Sequence, residues 1–415
     1  MRAAVVTAND AANMQPMIAM VRASGMRIAL TDDLLRSPEN QLEAHPANRA
    51  TLLAAVLPAL RRTEARIEEV SCDAAADYRT SAAELMSALR LPAGRLGWAR
   101  AWDAQPTPAF IRKIGQIFSP FDVIVGWGLS NIMLRAFELC GFSYFDVELS
   151  PYRFAENFYF TVRTNVPALS AIARAHTIRA ATLAAIAGEV SAYHNRRNRE
   201  FLVRKDARCG VIFGQSPLDA ALIHEGRLAA IDQFLEDIRA WSAQVDHLFY
   251  KEHPHGDGST LRWLKSHFDV ETLRRPPYQI LSANDLHCVA AISSGICMEA
   301  EAFGIPAATF GTNLRYAYLS TAQNYLSCPA VDGASLNHAL AGLIGVEAPG
   351  AEFAPDYRKI FSSAWGERFA RDEPASERHW SSEAGVRART ALPELAVETI
   401  RRWRERWATY SRSPG

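Results

Sequence analysis

The sequence predicts an α/β protein with two doubly wound domains that face a cleft, and three observations support this prediction. Short apolar runs typical of buried strands alternate with helical stretches in the first part of the chain. A second series of the same kind begins near residue 206, and a long Ala-rich helical stretch separates the two. The 415 residues suffice for two or three domains.

The composition excludes several classes of protein. Hydrophobic residues make up 49% and charged residues 22%, so a disordered chain is not expected. Lys+Arg and Asp+Glu both number 45, and this balance predicts no general affinity for nucleic acid. The six cysteines form no CxxC pair, which predicts free thiols in a reducing compartment. No signal-like or long apolar segment is evident, so we expect a cytoplasmic protein.

The first series opens with a strand–helix–strand pattern and continues to a compact apolar run that ends in a glycine-containing loop. Such a run is typical of a central parallel strand. We predict strands at 2–7, 26–30, 121–127 and 144–149, and helices at 14–24, 47–70, 81–89 and 131–140.

The second series repeats this alternation. We predict strands at 209–213, 247–251, 289–292 and 307–310, and helices at 228–241, 260–266 and 298–303. The pattern gives two Rossmann-like domains whose ligands bind at the carboxyl ends of the strands. The predicted boundaries are an N-terminal domain over 1–165, a helical linker over 166–205, a C-terminal domain over 206–375, and C-terminal helices over 376–415 that pack back on the protein.

A His-Pro pair follows the apolar strand that ends near residue 251. Lys251, His253 and Pro254 stand where a doubly wound sheet binds ligands, and an imidazole there can donate a hydrogen bond to phosphate. The alternative is a surface loop with incidental histidines. A metal site made of His253, His255 and Asp257 is not favoured, because no further ligands stand at a familiar spacing, and we expect no metal.

A pair of serines follows another predicted strand. Ser293, Ser294 and Gly295 precede a helix, whose free N–H groups suit an anion, although a simple serine cap is the alternative. Glu299 lies one turn into that helix, which is followed by Gly304-Ile305-Pro306. This spacing is used in nucleotide-sugar enzymes, where the acid accepts from ribose hydroxyls. The alternative is an ordinary helix with a glycine cap and a proline stop.

These signals occur in order within one half of the chain, which here resembles the bacterial β-Kdo transferases and capsule polysaccharide synthesis proteins. The resemblance covers mainly residues 209–313, with weaker support at 121–165. It implies the GT-B glycosyltransferase fold of two Rossmann-like domains, and motifs that hold the CMP part of the donor, CMP-Kdo. It implies no other cofactor. Bacterial sialyltransferases share this logic with CMP-sialic acid.

The loop from Gly214 to Asp219 resembles the Gly-Gln…Asp loop that opens the donor domain of these transferases. The resemblance implies that Gln215 contacts the donor and that Asp219 is the nucleophile. A carboxylate in that role attacks the anomeric carbon and leaves a covalent glycosyl–enzyme adduct. The alternative is a structural acid that caps a helix.

Two acids in the predicted strand at 144–149 point to the same face and suggest an acceptor-side base. Glu148 is preferred over Asp146, because it lies nearer the carboxyl end of the strand. Arg153 suits a sugar carboxylate, and Trp127 suits stacking on a sugar ring. The alternatives are ion pairs between these acids and Arg153 or Arg163, and a Trp127 packed in the core, which is the favoured interpretation for the tryptophan.

The sequence-based hypothesis is a retaining glycosyltransferase that moves Kdo from CMP-Kdo to a glycan or glycolipid acceptor in lipopolysaccharide O-antigen or capsule synthesis. The alternatives are an inverting enzyme that uses CMP-sialic acid, a non-catalytic nucleotide-binding scaffold of a polysaccharide assembly complex, and a phosphotransferase that uses CDP-activated polyols. The Arg- and Trp-rich segment 395–412 is expected to pack back on the protein, and contact with the inner membrane surface is its alternative.

Overall fold

The computed structural model describes residues 26–35, 66–70, 82–102, 104–155, 158–195, 201–216, 219–254, 256–311 and 328–343. The described strands are β1 (Arg27–Asp32), β2 (Arg66–Val70), β3 (Val123–Trp127), β4 (Ser143–Leu149), β5 (Phe160–Thr164), β6 (Cys209–Phe213), β7 (Ile223–His224), β8 (Arg227–Leu228), β9 (His247–Lys251), β10 (Val270–Thr272), β11 (Leu286–Ala291), β12 (Ala307–Thr309) and β13 (Cys328–Val331).

The described helices are α1 (Ala82–Ala88), α2 (Arg95–Ala101), α3 (Pro108–Phe118), α4 (Asn131–Cys140), α5 (Pro167–Ala175), α6 (Ala180–His194), α7 (Leu235–Ser242), α8 (Ser259–His267), α9 (Pro277–Leu281), α10 (Ile296–Ala302) and α11 (Gly333–Leu343). Their ends follow local rules. The Thr107 hydroxyl accepts from Phe110 N at 3.2 Å at the start of α3, and Gly141 ends α4 with a left-handed φ of 76°. Within the described residues, no helix has the length and apolar character needed to cross a membrane.

The first sheet has the strand order β13-β5-β4-β3-β1-β2. Strands β2, β1, β3 and β4 are parallel, whereas β5 runs antiparallel to β4 and β13 antiparallel to β5. Every residue of β3 is buried, as expected for a parallel strand that is covered on both faces. Helices α3 and α4 pack on one another, and the rings of Phe118 and Phe137 meet edge to face with centroids 4.9 Å apart.

The second sheet is entirely parallel, in the order β10-β9-β6-β11-β12. The chain first builds outward from β6 to β9 and β10, and then returns to the other side of β6 to form β11 and β12. The strand order therefore reverses between β6 and β11, and this is the switch point at which doubly wound sheets bind ligands. The strands predicted at 209–213, 247–251, 289–292 and 307–310 are all present, with shifted ends for the last two.

Strand β2 corrects the helix predicted over 47–70, which is otherwise outside the described residues. Arg66–Val70 pairs in parallel with β1, and Arg27 Nη2 donates to Glu68 Oε1 at 2.7 Å across the two strands. Arg and Glu favour helices in isolation, but pairing with the sheet overrides that local preference. The elements predicted at 2–7, 14–24 and 376–415 also lie outside the described residues.

The predicted domain boundaries differ from the structure at two places. Residues 328–343, assigned to the second domain, return to the first sheet, where β13 pairs with β5 and α11 packs on α5. The predicted linker is divided, because α5 packs on β5 whereas α6 packs on α9 and α10. We therefore call the described residues of 26–179 and 328–343 the first half, and those of 180–311 the second half.

Candidate functional site

One glutamine links the two loops on either side of the switch point of the second sheet. Gln215, which follows β6, accepts from Ser293 N at 2.6 Å through Oε1 and donates to Ser293 Oγ at 3.2 Å through Nε2. Ser293 is only 1% exposed, and its hydroxyl donates to Ala221 O at 2.5 Å. The Ser293 hydroxyl thus joins the loops after β6 and β11, and its role in binding the donor stays a prediction.

The two residues after Ser293 remain available at this edge. Ser294 and Gly295 are half-buried at the start of α10. The Ser294 hydroxyl accepts from Ile296 N at 3.4 Å, a long bond typical of a serine turn. The predicted anion contact at this helix start is thus left to Ser294 and the main chain around it.

The His-Pro loop lies directly beside this crevice. Gly214 N donates to Lys251 O at 2.9 Å, which holds the end of β6 against the end of β9. A Cβ atom on Gly214 would lie 2.4 Å from Tyr250 Oη and 2.9 Å from His253 N, so the close approach of the two loops requires glycine. Lys251 and His253 are half-buried and Pro254 is exposed. The structure therefore brings the predicted donor-binding loops together at one sheet edge.

A network behind the His-Pro loop was missed by sequence reasoning. Tyr250 Oη donates to Glu252 Oε1 at 3.4 Å, and Gly258 N donates to the same carboxylate. Burial raises the pKa of Glu252 above its ordinary value, although these two hydrogen bonds oppose that rise. The only sequence signal for it is an acid between a buried strand and His253. The network ties the loop after β9 to the end of that strand and to the start of α8.

Asp219 lies directly before a segment of the second half that contacts the first half. It is half-buried, and its Oδ1 accepts from Ala221 N at 2.9 Å at the start of a short 3₁₀ helix over 220–222. Ala220 and Ile223 then pack into the core of the first half. The structural alternative for Asp219 is thus present in this conformation, and its role as a nucleophile stays a prediction.

Asp146 is not an accessible base. It is completely buried, it accepts from Arg163 Nε at 2.7 Å, and its other oxygen accepts from Leu129 N at 3.0 Å. Burial alone would lower the pKa of Arg163, but Asp146 raises it above the usual value. The prediction of an acceptor-side role is therefore wrong for Asp146, and the ion-pair alternative with Arg163 is correct.

The other first-half candidates are also largely enclosed. Glu148 is buried, and its Oε1 accepts from Leu149 N at 3.0 Å, so its role as a base stays a prediction that requires movement of the strand end. Trp127 is 4% exposed, and its ring meets Phe160 edge to face at 6.3 Å. Stacking of Trp127 on a sugar is therefore wrong for this conformation, because the ring packs in the core.

Asp33 is a buried acid that the sequence analysis did not single out. It follows β1, and β1 and β3 flank the point where the strand order of the first sheet reverses. Its two oxygens accept from Trp98 Nε1 and Ser130 Oγ, each at 3.0 Å. Leu35 N donates to it as well, at 3.2 Å. Two consecutive acids after a buried strand were the available signal, and the structure uses the second to fix the loop after β3.

The two halves meet at Glu299. This side chain is 4% exposed, and its Oε1 accepts from Arg153 N at 2.7 Å and from Tyr278 Oη at 3.0 Å. Phe154 N donates to the same carboxylate. Burial raises the pKa of Glu299 to about 7, although these hydrogen bonds oppose the rise. The loop after β4 therefore contacts α10 through the Glu299 carboxylate.

The arrangement suits a phosphate-containing ligand. Lys251, His253 and the helix start at Ser294 supply a cation, an imidazole and hydrogen-bond donors beside the switch point. Glu299 and Asp219 supply carboxylates on the side that faces the first half. Among the described residues, no group of three or more His, Cys, Asp and Glu side chains is placed to hold a metal ion. Ser293 and Glu299 are almost completely buried, whereas Lys251, His253, Ser294 and Asp219 are half-buried.

No protein-family model matches the chain, and no curated protein matches it in sequence. Among solved structures, KpsC, a β-Kdo 2,7-transferase of Thermosulfurimonas dismutans, is 14% identical, with a TM-score of 0.36 over 76% of this chain and 89% of KpsC. The S. aureus MnaA–UDP co-structure is 13% identical, with a TM-score of 0.30 over 78% of this chain and 99% of that chain. The glycosyltransferase SsfS6 of Streptomyces sp. SF2575, complexed with thymidine diphosphate, is 10% identical, with a TM-score of 0.23 over 92% of this chain and 99% of SsfS6. These TM-scores are low, and the assignment of two doubly wound sheets rests on the strand order of this chain.

Proposed function

We propose that this chain is a metal-independent glycosyltransferase that transfers Kdo from CMP-Kdo to a glycan or glycolipid acceptor in lipopolysaccharide O-antigen or capsule synthesis. The main support is the placement of three sequence-predicted loops at one switch point. The Gln215 loop, the His253–Pro254 loop and the Ser294–Gly295 helix start adjoin one another at the carboxyl edge of the second sheet. A nucleotide sugar fits such an edge, because the oxygens of its phosphate need hydrogen-bond donors from the protein.

In this proposal the second half holds the donor. Lys251 and Ser294 bind the phosphate of CMP, and His253 donates to the phosphate oxygen that departs with CMP. Glu299 accepts from the ribose. Arg153, on the first-half side of the cleft, pairs with the carboxylate of the sugar.

The reaction proceeds with retention through two displacements. The Asp219 carboxylate forms a bond to the anomeric carbon while the bond from that carbon to the CMP oxygen breaks. The acceptor hydroxyl then attacks the same carbon, loses its proton to a base, and releases Asp219. Glu148 is the remaining sequence-predicted candidate for that base, since Asp146 is paired with Arg163.

Intact-protein mass spectrometry after incubation with fresh CMP-Kdo tests the proposal. We expect the wild-type chain to gain the mass of one Kdo and Asp219→Asn to gain none. Asp237→Asn is the matched control, because Asp237 is an exposed acid on α7 and should leave the adduct unchanged. Transfer of Kdo to a suitable acceptor with release of CMP, but without any adduct on the protein, would contradict the double displacement and favour an inverting enzyme.

A non-catalytic nucleotide-binding scaffold is the second candidate. It is favoured by the hydrogen bond from Ala221 N to Asp219 Oδ1, which gives this acid a structural role without chemistry. A scaffold would bind CMP with equal affinity in wild type and Asp219→Asn, and would leave CMP-Kdo intact with every acceptor tried. Calorimetric titration with CMP, followed by analysis of CMP-Kdo turnover, separates the two candidates.

A further inference from the structure

One oxygen of Glu299 receives hydrogen bonds from both halves of the molecule. Arg153 N belongs to the loop after β4, and Tyr278 Oη belongs to α9 in the second half. A carboxylate has about four acceptor positions. Arg153 N, Phe154 N and Tyr278 Oη use three of them, and the proposed function assigns the fourth to a ribose hydroxyl. Glu299 can therefore serve a nucleotide while it still holds the first-half loop.

The ring of Tyr278 is held independently of its hydroxyl. It lies parallel to Phe303, with an interplanar angle of 1° and centroids 6.3 Å apart. Phe154 from the first half packs edge-on against both rings, at 6.2 Å from Tyr278 and 5.2 Å from Phe303. Phe154 is fully buried in this cluster, so the aromatic contact between the two halves does not depend on the Tyr278 hydroxyl.

We propose that Tyr278 is a positioning residue: its hydroxyl holds the Glu299 carboxylate, and Glu299 in turn places Arg153 beside the nucleotide crevice. This deepens the proposed function and rests on it for the identity of the nucleotide. The packed rings of Phe154, Tyr278 and Phe303 contribute to the contact between the halves, and the Tyr278 hydroxyl orients the Glu299 carboxylate. Loss of the hydroxyl alone should therefore alter the site while the contact between the halves persists.

The protonation of Glu299 provides a readout that a purely structural tyrosine would not change. The charged and titratable groups at this contact are Arg153, Tyr278, Tyr152 and Glu301. The hydrogen bond from Tyr278 lowers the pKa of Glu299, opposing the effect of burial. Removing it should raise the pH at which Glu299 ionises by about one unit, the size expected for a lost hydrogen bond to a charged group.

The test compares the pH dependence of CMP binding in wild type, Tyr278→Phe and Tyr193→Phe. Tyr193 is exposed on α6 and is the matched control. We expect CMP affinity to rise with pH through about 7 in wild type, because a charged carboxylate is the better acceptor for a ribose hydroxyl. The midpoint should move upward by about one pH unit in Tyr278→Phe and stay unchanged in Tyr193→Phe. An unchanged midpoint in Tyr278→Phe would overturn the proposal.

Amide hydrogen exchange in the free protein separates this inference from the proposed function. Tyr278→Phe should accelerate exchange at the Arg153 and Phe154 amides about threefold to tenfold, as expected for weaker hydrogen bonds to Glu299. Tyr193→Phe should not. If CMP fails to bind at any pH, the proposed function fails, and accelerated exchange still supports the positioning role. Unchanged exchange at both amides rejects that role, whatever the result with CMP.

Discussion

The polar groups that the sequence places at the carboxyl edges of the two sheets differ in how far they are buried. In the first half, Asp33 and Asp146 are buried. Asp33 accepts hydrogen bonds from Trp98 and Ser130, and Asp146 accepts from Arg163. In the second half, the corresponding edge keeps groups that are half-buried, namely Lys251, His253, Ser294 and Asp219. Closed networks of this kind hold loops in place, whereas half-buried groups can meet a ligand. The comparison teaches that the place of an acid at a strand end does not by itself indicate chemistry, because Asp146 stands in such a strand and is held by Arg163 and Leu129 N.

The largest expected effect is the loss of the buried ion pair of the first half. Arg163→Ala leaves Asp146 enclosed without its partner, so that the acid is either charged and unpaired or must take up a proton, and should lower the free energy of unfolding by about 3–5 kcal/mol. Arg239→Ala is the matched control, since Arg239 and Glu236 form an exposed pair on α7. That change should cost no more than about 0.5 kcal/mol. Chemical denaturation measures both, and equal losses would show that the buried ion pair stabilises the protein no more than the exposed one.

A smaller loss of stability is expected from an added side chain at the carboxyl edge of the second sheet. Gly214→Ala places a methyl group against Tyr250 Oη and His253 N, and should cost about 1–3 kcal/mol of stability. It should also weaken CMP binding, because it separates the loops after β6 and β9. Gly188→Ala on α6 meets no atom within 4 Å and should stabilise the protein by about 0.5–1 kcal/mol. Retention of full CMP affinity in Gly214→Ala would show that the loop contact is unimportant for binding.

The last prediction concerns the pH dependence of stability, through the Glu299 carboxylate between the two halves. The folded pKa of Glu299 is about 7, above the ordinary value of 4.5, so the folded state binds more protons between these values. The free energy of unfolding should therefore fall as the pH rises from about 4.5 to 7. Glu299→Gln should flatten this part of the stability–pH curve, measured by denaturation at several pH values. A curve with the wild-type slope in Glu299→Gln would assign the titration to another group.

Continuous apolar runs made much of the fold predictable. The buried strands β3 and β6 were recognised from such runs, and the loops that follow β6, β9 and β11 were placed correctly at one edge. Parallel strands covered on both faces carry this signal within five or six residues. The loops follow from it, because every strand of a parallel sheet ends on the same edge.

Long-range partners were the part that sequence reasoning missed. Cross-strand register places Asp146 opposite Arg163, and this pairing decides that the acid is structural. Strand β2 has a helix-like composition and becomes a strand only beside β1. Glu299 finds Arg153 N across 146 positions of sequence, which no local pattern encodes. These contacts join parts of the chain that are distant in sequence, and a local sequence pattern does not encode them.

The return of β13 to the first sheet affects how the protein is made. The ribosome releases β5 well before β13, and all of the second half is synthesised in between. At roughly 5–20 residues per second, the β5 edge of a nascent chain waits on the order of ten seconds for its partner. An unpaired strand edge attracts other strands. The nascent chain is therefore most prone to wrong strand pairing while its second half is being synthesised. Slow translation of that region would lengthen this interval.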